Sequence, residues 1–249
     1  MTQIELFGRP RRVSFDIEIA DVFELAPGED LDAHGPFDIS CAAAADDAGA
    51  VKHWVGPGQG ATPARCLDAD TARAMLRWLR DEQEGGARLF AWNGLSFDLR
   101  WLGVAADDVG LAAAIALDLY DPMFQFFVQR GFPVGLGAVA EGLGLAECKL
   151  MDGADAPKVW AEGRHQEVLD YVAGDCLLTD KVVAAIEGQG AVRWRTRRGT
   201  VSSEPLPELR AVRDLLDAPL PDVSWMDDPM PRTKFTAWLP PELLPSARG

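Results

Sequence analysis

Apolar and polar residues alternate without interruption near the start of the chain, over residues 13–19. Such alternation is typical of a β-strand, because successive side chains of a strand point to opposite faces of its sheet. Phe15 and Ile17 therefore share one face, and Asp16 and Glu18 share the other. The pattern predicts a strand with an apolar side and a doubly acidic side.

The rest of the chain up to residue 190 alternates between short strand-like segments and longer segments with helical spacing. The strand-like segments are 37–44 and 51–55, which form a meander around a turn at 46–49, and 88–92, which is apolar enough to be central. The helical segments are 69–84, a helix that begins at Ser96 as its N-cap, 109–131 with a break near 121–122, 136–143 and 164–187.

The acidic pair on the first strand needs an explanation, because two neighbouring carboxylates repel each other and lose hydration if they are buried. A divalent cation between Asp16 and Glu18 would provide one, since hard cations prefer oxygen ligands. An edge strand with a solvated acidic face is the plainer interpretation. The Asp-x-Glu spacing alone does not decide between a metal site and a solvated edge strand.

Two helices carry further acidic residues at notable positions. Asp98 falls in the first turn of the helix after residue 96, where an acid also favours the helix dipole. Tyr171 and Asp175 are four residues apart and so share one face of the helix at 164–187. Asp175 lies within an apolar stripe, although a neighbouring lysine or solvent at the edge of the stripe could accommodate it.

Composition narrows the class of protein. The chain has 249 residues, of which 48% are hydrophobic, and this suffices for one large domain or for one domain with a small appendage. The net charge of −15 argues against a protein that holds duplex nucleic acid by bulk electrostatics. It does not exclude an enzyme that draws a single strand into a local cleft whose charge is neutralised by metal ions.

Targeting and redox features are few. The chain contains no apolar run long enough to cross a membrane, and its first five residues do not resemble a signal peptide. We therefore expect a cytoplasmic protein without membrane contact. The four cysteines show no zinc-ligand spacing and are expected to be reduced thiols; they are Cys41, Cys66, Cys148 and Cys176.

We expect a domain at 1–190 followed by an extension at 191–249. The extension begins with a predicted hairpin at 192–201, followed by a short helix around 207–217 and a proline-rich end. Arg193, Arg195 and Arg197 alternate, and they either track phosphates of a single strand or pair with surface acids such as Glu204 and Glu208.

The ordered set of Asp-x-Glu at 16–18, Asn-x-x-x-Phe-Asp at 93–98 and Tyr-x-x-x-Asp at 171–175 resembles the DEDD superfamily of 3′–5′ exonucleases. It is most similar to the tyrosine subclass, and the 93–98 segment to the proofreading domains of family B DNA polymerases. The resemblance spans about residues 10–187. It implies an α/β fold of the RNase H-like type, with a mixed five-stranded sheet and helices on both faces. The fifth strand would lie near 112–118.

The resemblance also implies roles for individual residues. Asp16, Glu18, Asp98 and Asp175 would hold two divalent metal ions, Mg²⁺ or Mn²⁺, and Tyr171 would orient the attacking water. Asn93 and Phe97 would bind substrate near the terminal nucleotide, although core packing is at least as good an explanation of Phe97. The implied activity is hydrolysis of single-stranded nucleic acid from its 3′ end, with DNA favoured over RNA.

Two other functions stay open at this point. One is a catalytically inactive RNase H-like module that binds nucleic acid or a protein partner, and the other is an RNase H-type endonuclease or resolvase. Since no polymerase domain follows residue 190, an exonuclease would act alone or as a subunit of a larger assembly. Its protein partners cannot be named from the sequence.

Overall fold

A four-stranded mixed sheet forms the centre of the molecule in this computed structural model, which describes residues 10–26, 29–145, 151–219 and 221–244. The strand order is β3-β2-β1-β4, with antiparallel β3-β2 and β2-β1 pairs and a parallel β1-β4 pair. The strands are β1 (Arg12–Ile19), β2 (Ile39–Asp46), β3 (Val51–Val55) and β4 (Arg88–Phe90). The predicted meander and the central fourth strand are confirmed.

Helices cover both faces of this sheet. Within the described residues they are α1 (Ala69–Glu84), α2 (Asp98–Ala105), α3 (Val109–Leu117), α4 (Pro122–Arg130), α5 (Leu136–Leu143), α6 (Ala156–Ala161), α7 (His165–Gln189) and the single turn α8 (Thr233–Thr236). Ala42 and Ala44 of β2 pack into the core with α1, α2 and α3, whereas Cys41 and Ala43 pack against α6 and α7. The predicted α/β class, with a mixed sheet and helices on both faces, is confirmed.

Local signals explain why α1 has its predicted bounds. The Asp68 side chain accepts a hydrogen bond from the Thr71 amide at 2.8 Å, which caps the first turn. Gly86 follows the helix with a φ of 87°, a conformation that glycine adopts without strain. The apolar face of α1 is fully buried, and it comprises Ala72, Met75, Leu76 and Leu79.

The fifth strand expected near 112–118 is wrong, because this segment forms α3. Short apolar runs fit a buried strand or a buried helix equally well, and alanine is the strongest helix former. The Asp108 side chain also caps α3 by accepting from the Leu111 amide at 3.0 Å. One isolated parallel bridge, between Phe90 and Tyr120, lies beside β4 at the edge of the sheet.

Helix α7 lies directly on the sheet, because the strand beneath it carries small side chains. The residues of β2 that face α7 are Cys41, Ala43 and Ala45, and their small side chains allow the helix to approach closely. The Cys176 thiol of α7 donates a hydrogen bond to the Ala43 carbonyl oxygen, with a donor–acceptor distance of 3.4 Å. This close packing places the middle of α7 beside the acidic face of β1.

The C-terminal extension begins with a hairpin, as predicted, of β5 (Ala191–Arg195) and β6 (Val201–Pro205). The helix expected around 207–217 is wrong: only a 3₁₀ turn forms, at Val212–Asp214. Proline at 207 and an extended backbone at Ala211 leave too few residues for a longer helix. Apolar residues beyond the hairpin fill the cores of the main body; these are Leu206, Leu209, Val212, Leu215, Phe235 and Leu239.

The arginines of the hairpin have no acidic partners within the described part of the chain. Arg193 and Arg195 are exposed, and Arg197 lies in the turn rather than on the strand. Glu204 pairs instead with Arg130 at 3.2 Å. Asp175 precedes the last residue of α7 by fourteen residues, so the hairpin lies about 21 Å from it along the helix axis.

Other predictions concern cysteines and membranes. Cys41, Cys66 and Cys176 are free thiols as predicted, and Cys148 lies outside the described residues. Of the helices described, none combines the length and the apolar character needed to cross a bilayer.

Candidate active site

The two acids lie on β1, an inner strand of the sheet, just beyond Ser14, where its pairing with β4 ends. Phe15 and Ile17 are buried in the core beneath α1 and α2, which turns Asp16 and Glu18 toward α7. Glu18 is buried and Asp16 is half-buried, so the expected alternative of a solvated edge strand does not apply. The strand register shifts between Glu18 and Ile19, and such irregularities change the direction of side chains beside functional sites.

Tyr171 and Asp175 face these acids from α7. Both side chains are buried, one helical turn apart. Burial raises the pKa of the Tyr171 phenol, and the negative charges of Glu18, Asp175 and Asp16 raise it further. The phenol therefore keeps its proton at neutral pH, and it can donate a hydrogen bond but cannot act as a phenolate base.

Asp98 joins the same group from the start of α2. Its Oδ1 atom accepts a hydrogen bond from the Ile17 amide at 3.1 Å, and its carboxyl group is hydrogen-bonded to Asp16. Burial raises the pKa of Asp98 to about 7, against the opposing effect of the hydrogen bond with Asp16. A role limited to the helix dipole does not account for a buried acid that is bonded to a strand of the sheet.

The four carboxylates together create a negative potential at the interface of β1 and α7. The pKa of the buried Cys176 thiol is raised by desolvation and then by the charges of Asp16, Asp175, Asp98 and Glu18. Clustered carboxylate oxygens are the donor set that Mg²⁺ and Mn²⁺ prefer. The part of the chain that the structure describes contains no group of three or more His, Cys, Asp or Glu side chains already at the spacing of a metal site.

Asn93 lies in a tight turn next to this cluster. Its φ of 72° is in the left-handed region, which asparagine tolerates better than most residues. Ser96 does not cap α2 as expected; its Oγ atom donates instead to Asn93 Oδ1 at 2.7 Å, and α2 begins at Asp98 without a side-chain cap. The hydroxyl therefore fixes the orientation of the Asn93 amide.

Phe97 contacts both the core and a cavity. Its ring centroid is 5.9 Å from that of Phe37, so part of it packs on the core. The ring also borders a cavity of about 250 Å³ with Glu18, Leu31 and Gly153. A methyl group added at Gly153 would lie 3.4 Å from the Tyr171 hydroxyl oxygen, which places this cavity beside the carboxylates.

Asp121 is a buried acid that the sequence analysis does not single out. Its carboxylate accepts from the amides of Asn93, Leu95, Met123 and Phe124 at 3.1–3.2 Å, and so connects the 93–97 turn to the start of α4. Burial raises its pKa to about 6. An acid before a proline at the first helical position is a capping signal, but that signal does not reveal the contacts with the turn.

Comparison with known proteins yields likenesses to solved structures alone. No protein-family model matches the chain, and no curated protein matches it. The chain is similar to the family B DNA polymerase from the hyperthermophilic archaeon Pyrobaculum calidifontis, with 16% sequence identity and a TM-score of 0.45. The match covers 71% of this chain and 25% of the polymerase, so the chain spans only part of that protein's length.

Proposed function

We propose that this protein is a metal-dependent exonuclease that hydrolyses single-stranded nucleic acid, DNA in preference to RNA, from the 3′ end. The observation that carries the proposal is the meeting of Asp16, Glu18, Asp98, Tyr171 and Asp175 at one buried interface. These residues come from three elements far apart in sequence. A purely structural cluster of like charges would be costly, whereas a phosphodiester hydrolase needs such a cluster.

The carboxylates would hold the metal ions of the reaction. Asp16, Glu18 and Asp175 would bind one divalent cation, Mg²⁺ or Mn²⁺, and Asp16 and Asp98 a second. When bound, such a pair lowers the pKa of water and stabilises the attacking and leaving oxygens of the phosphate. Because Asp98 is hydrogen-bonded to Asp16 and its pKa lies near neutrality, loading the site requires loss of a proton from this pair.

The remaining side chains would position substrate. Tyr171 keeps its proton and would orient the attacking water by its hydroxyl group. The cavity bordered by Glu18, Phe97 and Gly153 would receive the 3′-terminal nucleotide. Asn93 would bind near the terminal sugar, and Asp121 would maintain the turn that presents it.

The proposal is tested with 5′-labelled single-stranded DNA and RNA in Mg²⁺, Mn²⁺ or EDTA. We expect a ladder that shortens stepwise only when metal is present, and slower digestion of strands that carry a 3′-phosphate. A circular single strand should resist. Rapid release of mid-length fragments or cutting of the circle would establish an endonuclease, and binding without hydrolysis would establish a binding module.

Replacing Tyr171 by Phe tests the positioning role. We expect Tyr171→Phe to lower kcat by roughly 10²-fold, the scale of a lost positioning or proton-transfer contact, with Mn²⁺ affinity retained. Single-turnover kinetics and calorimetric titration with Mn²⁺ measure the two quantities separately. Unchanged single-turnover rates in the variant would exclude a role of the hydroxyl in the chemical step.

A further inference from the structure

The end of the C-terminal extension packs against the turn that carries Asn93. The Trp238 indole nitrogen donates a hydrogen bond to the Leu95 carbonyl oxygen at 2.8 Å. Phe235 is buried between aromatic rings of α4, with centroid distances of 4.5 Å to Phe127 and 5.3 Å to Phe124. The extension is therefore held in place next to the candidate active site.

A second cavity, of about 390 Å³, lies between this part of the extension and the turn. The turn contributes Asn93, Ser96 and Phe97, and the extension contributes Met230, Lys234 and Phe235. Phe97 and Leu31 also border the first cavity, so the two cavities meet at these side chains. The cavities therefore adjoin, the first bordered by Glu18 and the second by the extension.

The lining of the second cavity suits a nucleotide. Its walls include Met123, Val134 and Phe235, which offer an apolar surface for a base. Because Ser96 donates to Asn93 Oδ1, the NH₂ group of Asn93 is left to donate, and the described residues provide no partner for it. Such a donor can bind a base edge or a sugar oxygen.

Lys234 supplies positive charge at the same place. Its ammonium group pairs with Asp30 and, at 3.2 Å, with Asp32, both of which border the cavity. Arg100 also pairs with Asp32, at 3.4 Å. Without Lys234, these two acids would face an approaching phosphate with only one cation beside them.

We propose that the C-terminal extension forms one wall of the binding site for the second nucleotide from the 3′ end, with Lys234 facing the phosphate on the 5′ side of that nucleotide. This inference rests on the proposed exonuclease function. It assigns a substrate-binding role to residues that lie outside the segment with the sequence motifs.

Two substrates of different length test the assignment. The p-nitrophenyl ester of thymidine 5′-monophosphate has a leaving group without a phosphate, whereas the leaving nucleotide of a 5′-phosphorylated dinucleotide carries the 5′ phosphate that would lie beside Lys234. In Lys234→Ala we expect the ratio of kcat/KM for the dinucleotide to kcat/KM for the ester to fall about tenfold, as for one lost charge-assisted contact. Lys234→Arg, which retains the charge, should restore most of the ratio.

The control is Arg77→Ala, which removes one exposed cation from α1, away from both cavities. This variant should leave kcat/KM for the ester, kcat/KM for the dinucleotide and the ratio of the two unchanged. A ratio in Lys234→Ala equal to that of the wild type, in protein with an unchanged Tm, would overturn the inference while leaving the exonuclease proposal intact. If the wild-type protein hydrolysed neither substrate with Mg²⁺ or Mn²⁺, the exonuclease proposal itself would fail.

Discussion

Asp175→Asn should abolish nuclease activity, with a loss of more than about 10³-fold in kcat. The loss of a metal ligand should lower kcat by more than the loss of a single transition-state contact does. The substitution removes a charged ligand of the proposed metal pair while keeping the shape of the side chain. It also relieves repulsion with Asp16 and Glu18, so the folded state should be as stable as the wild type or more stable. Gel assays of 5′-labelled DNA and thermal unfolding measure both effects.

The same helix offers a matched control. Asp170→Asn makes the identical chemical change at an exposed acid that accepts a hydrogen bond from Gln166 at 2.8 Å. It should retain wild-type activity. Full activity in Asp175→Asn would contradict the metal-ligand assignment, and unfolding of Asp175→Asn but not of Asp170→Asn would favour a structural role.

Asp98→Asn should stabilise the metal-free protein at alkaline pH. The folded-state pKa of Asp98 is raised to about 7 from 3.8 by burial, so the folded state favours the protonated acid. The stability that this provides is fully present below about pH 4 and is lost as pH rises through 7. The loss is on the order of 4 kcal/mol, since each pH unit across that range contributes about 1.4 kcal/mol.

Asparagine mimics the protonated acid at all pH values. Its side-chain oxygen can still accept from the Ile17 amide, and its NH₂ group can donate to Asp16. Denaturant titration in EDTA measures the unfolding free energy of both proteins. Between pH 5 and 8, this free energy should fall more steeply for the wild type than for Asp98→Asn. Parallel curves for the two proteins, with Asp170→Asn as reference, would contradict the pKa shift of Asp98.

Local sequence patterns predicted the parts of the fold whose causes are local. The alternation around Asp16 and Glu18 predicted β1 and its two faces, and the helical spacing over residues 69–84 predicted α1. The failure at 112–118 has the same origin, since an apolar run carries no periodicity that separates a buried strand from a buried helix.

Contacts between distant segments could not be predicted in this way. Asp121 accepts hydrogen bonds from the amides of Asn93 and Leu95, which lie more than twenty residues earlier in the chain. No local spacing predicts such bonds. Lys234 reaches Asp30 across most of the chain. Ser96 looked like a cap because its sequence position suits one, but its hydroxyl binds the Asn93 side chain instead.

We propose that Asp16, Glu18, Asp98 and Asp175 hold two metal ions at the β1–α7 interface. Anomalous diffraction from crystals soaked with Mn²⁺ and a short single-stranded oligonucleotide tests it most directly. We expect two Mn²⁺ peaks about 3.5–4 Å apart, contacted by these four carboxylates. Saturating Mn²⁺ that gives no peak at Asp16, or peaks only at surface acids elsewhere, would contradict the claim.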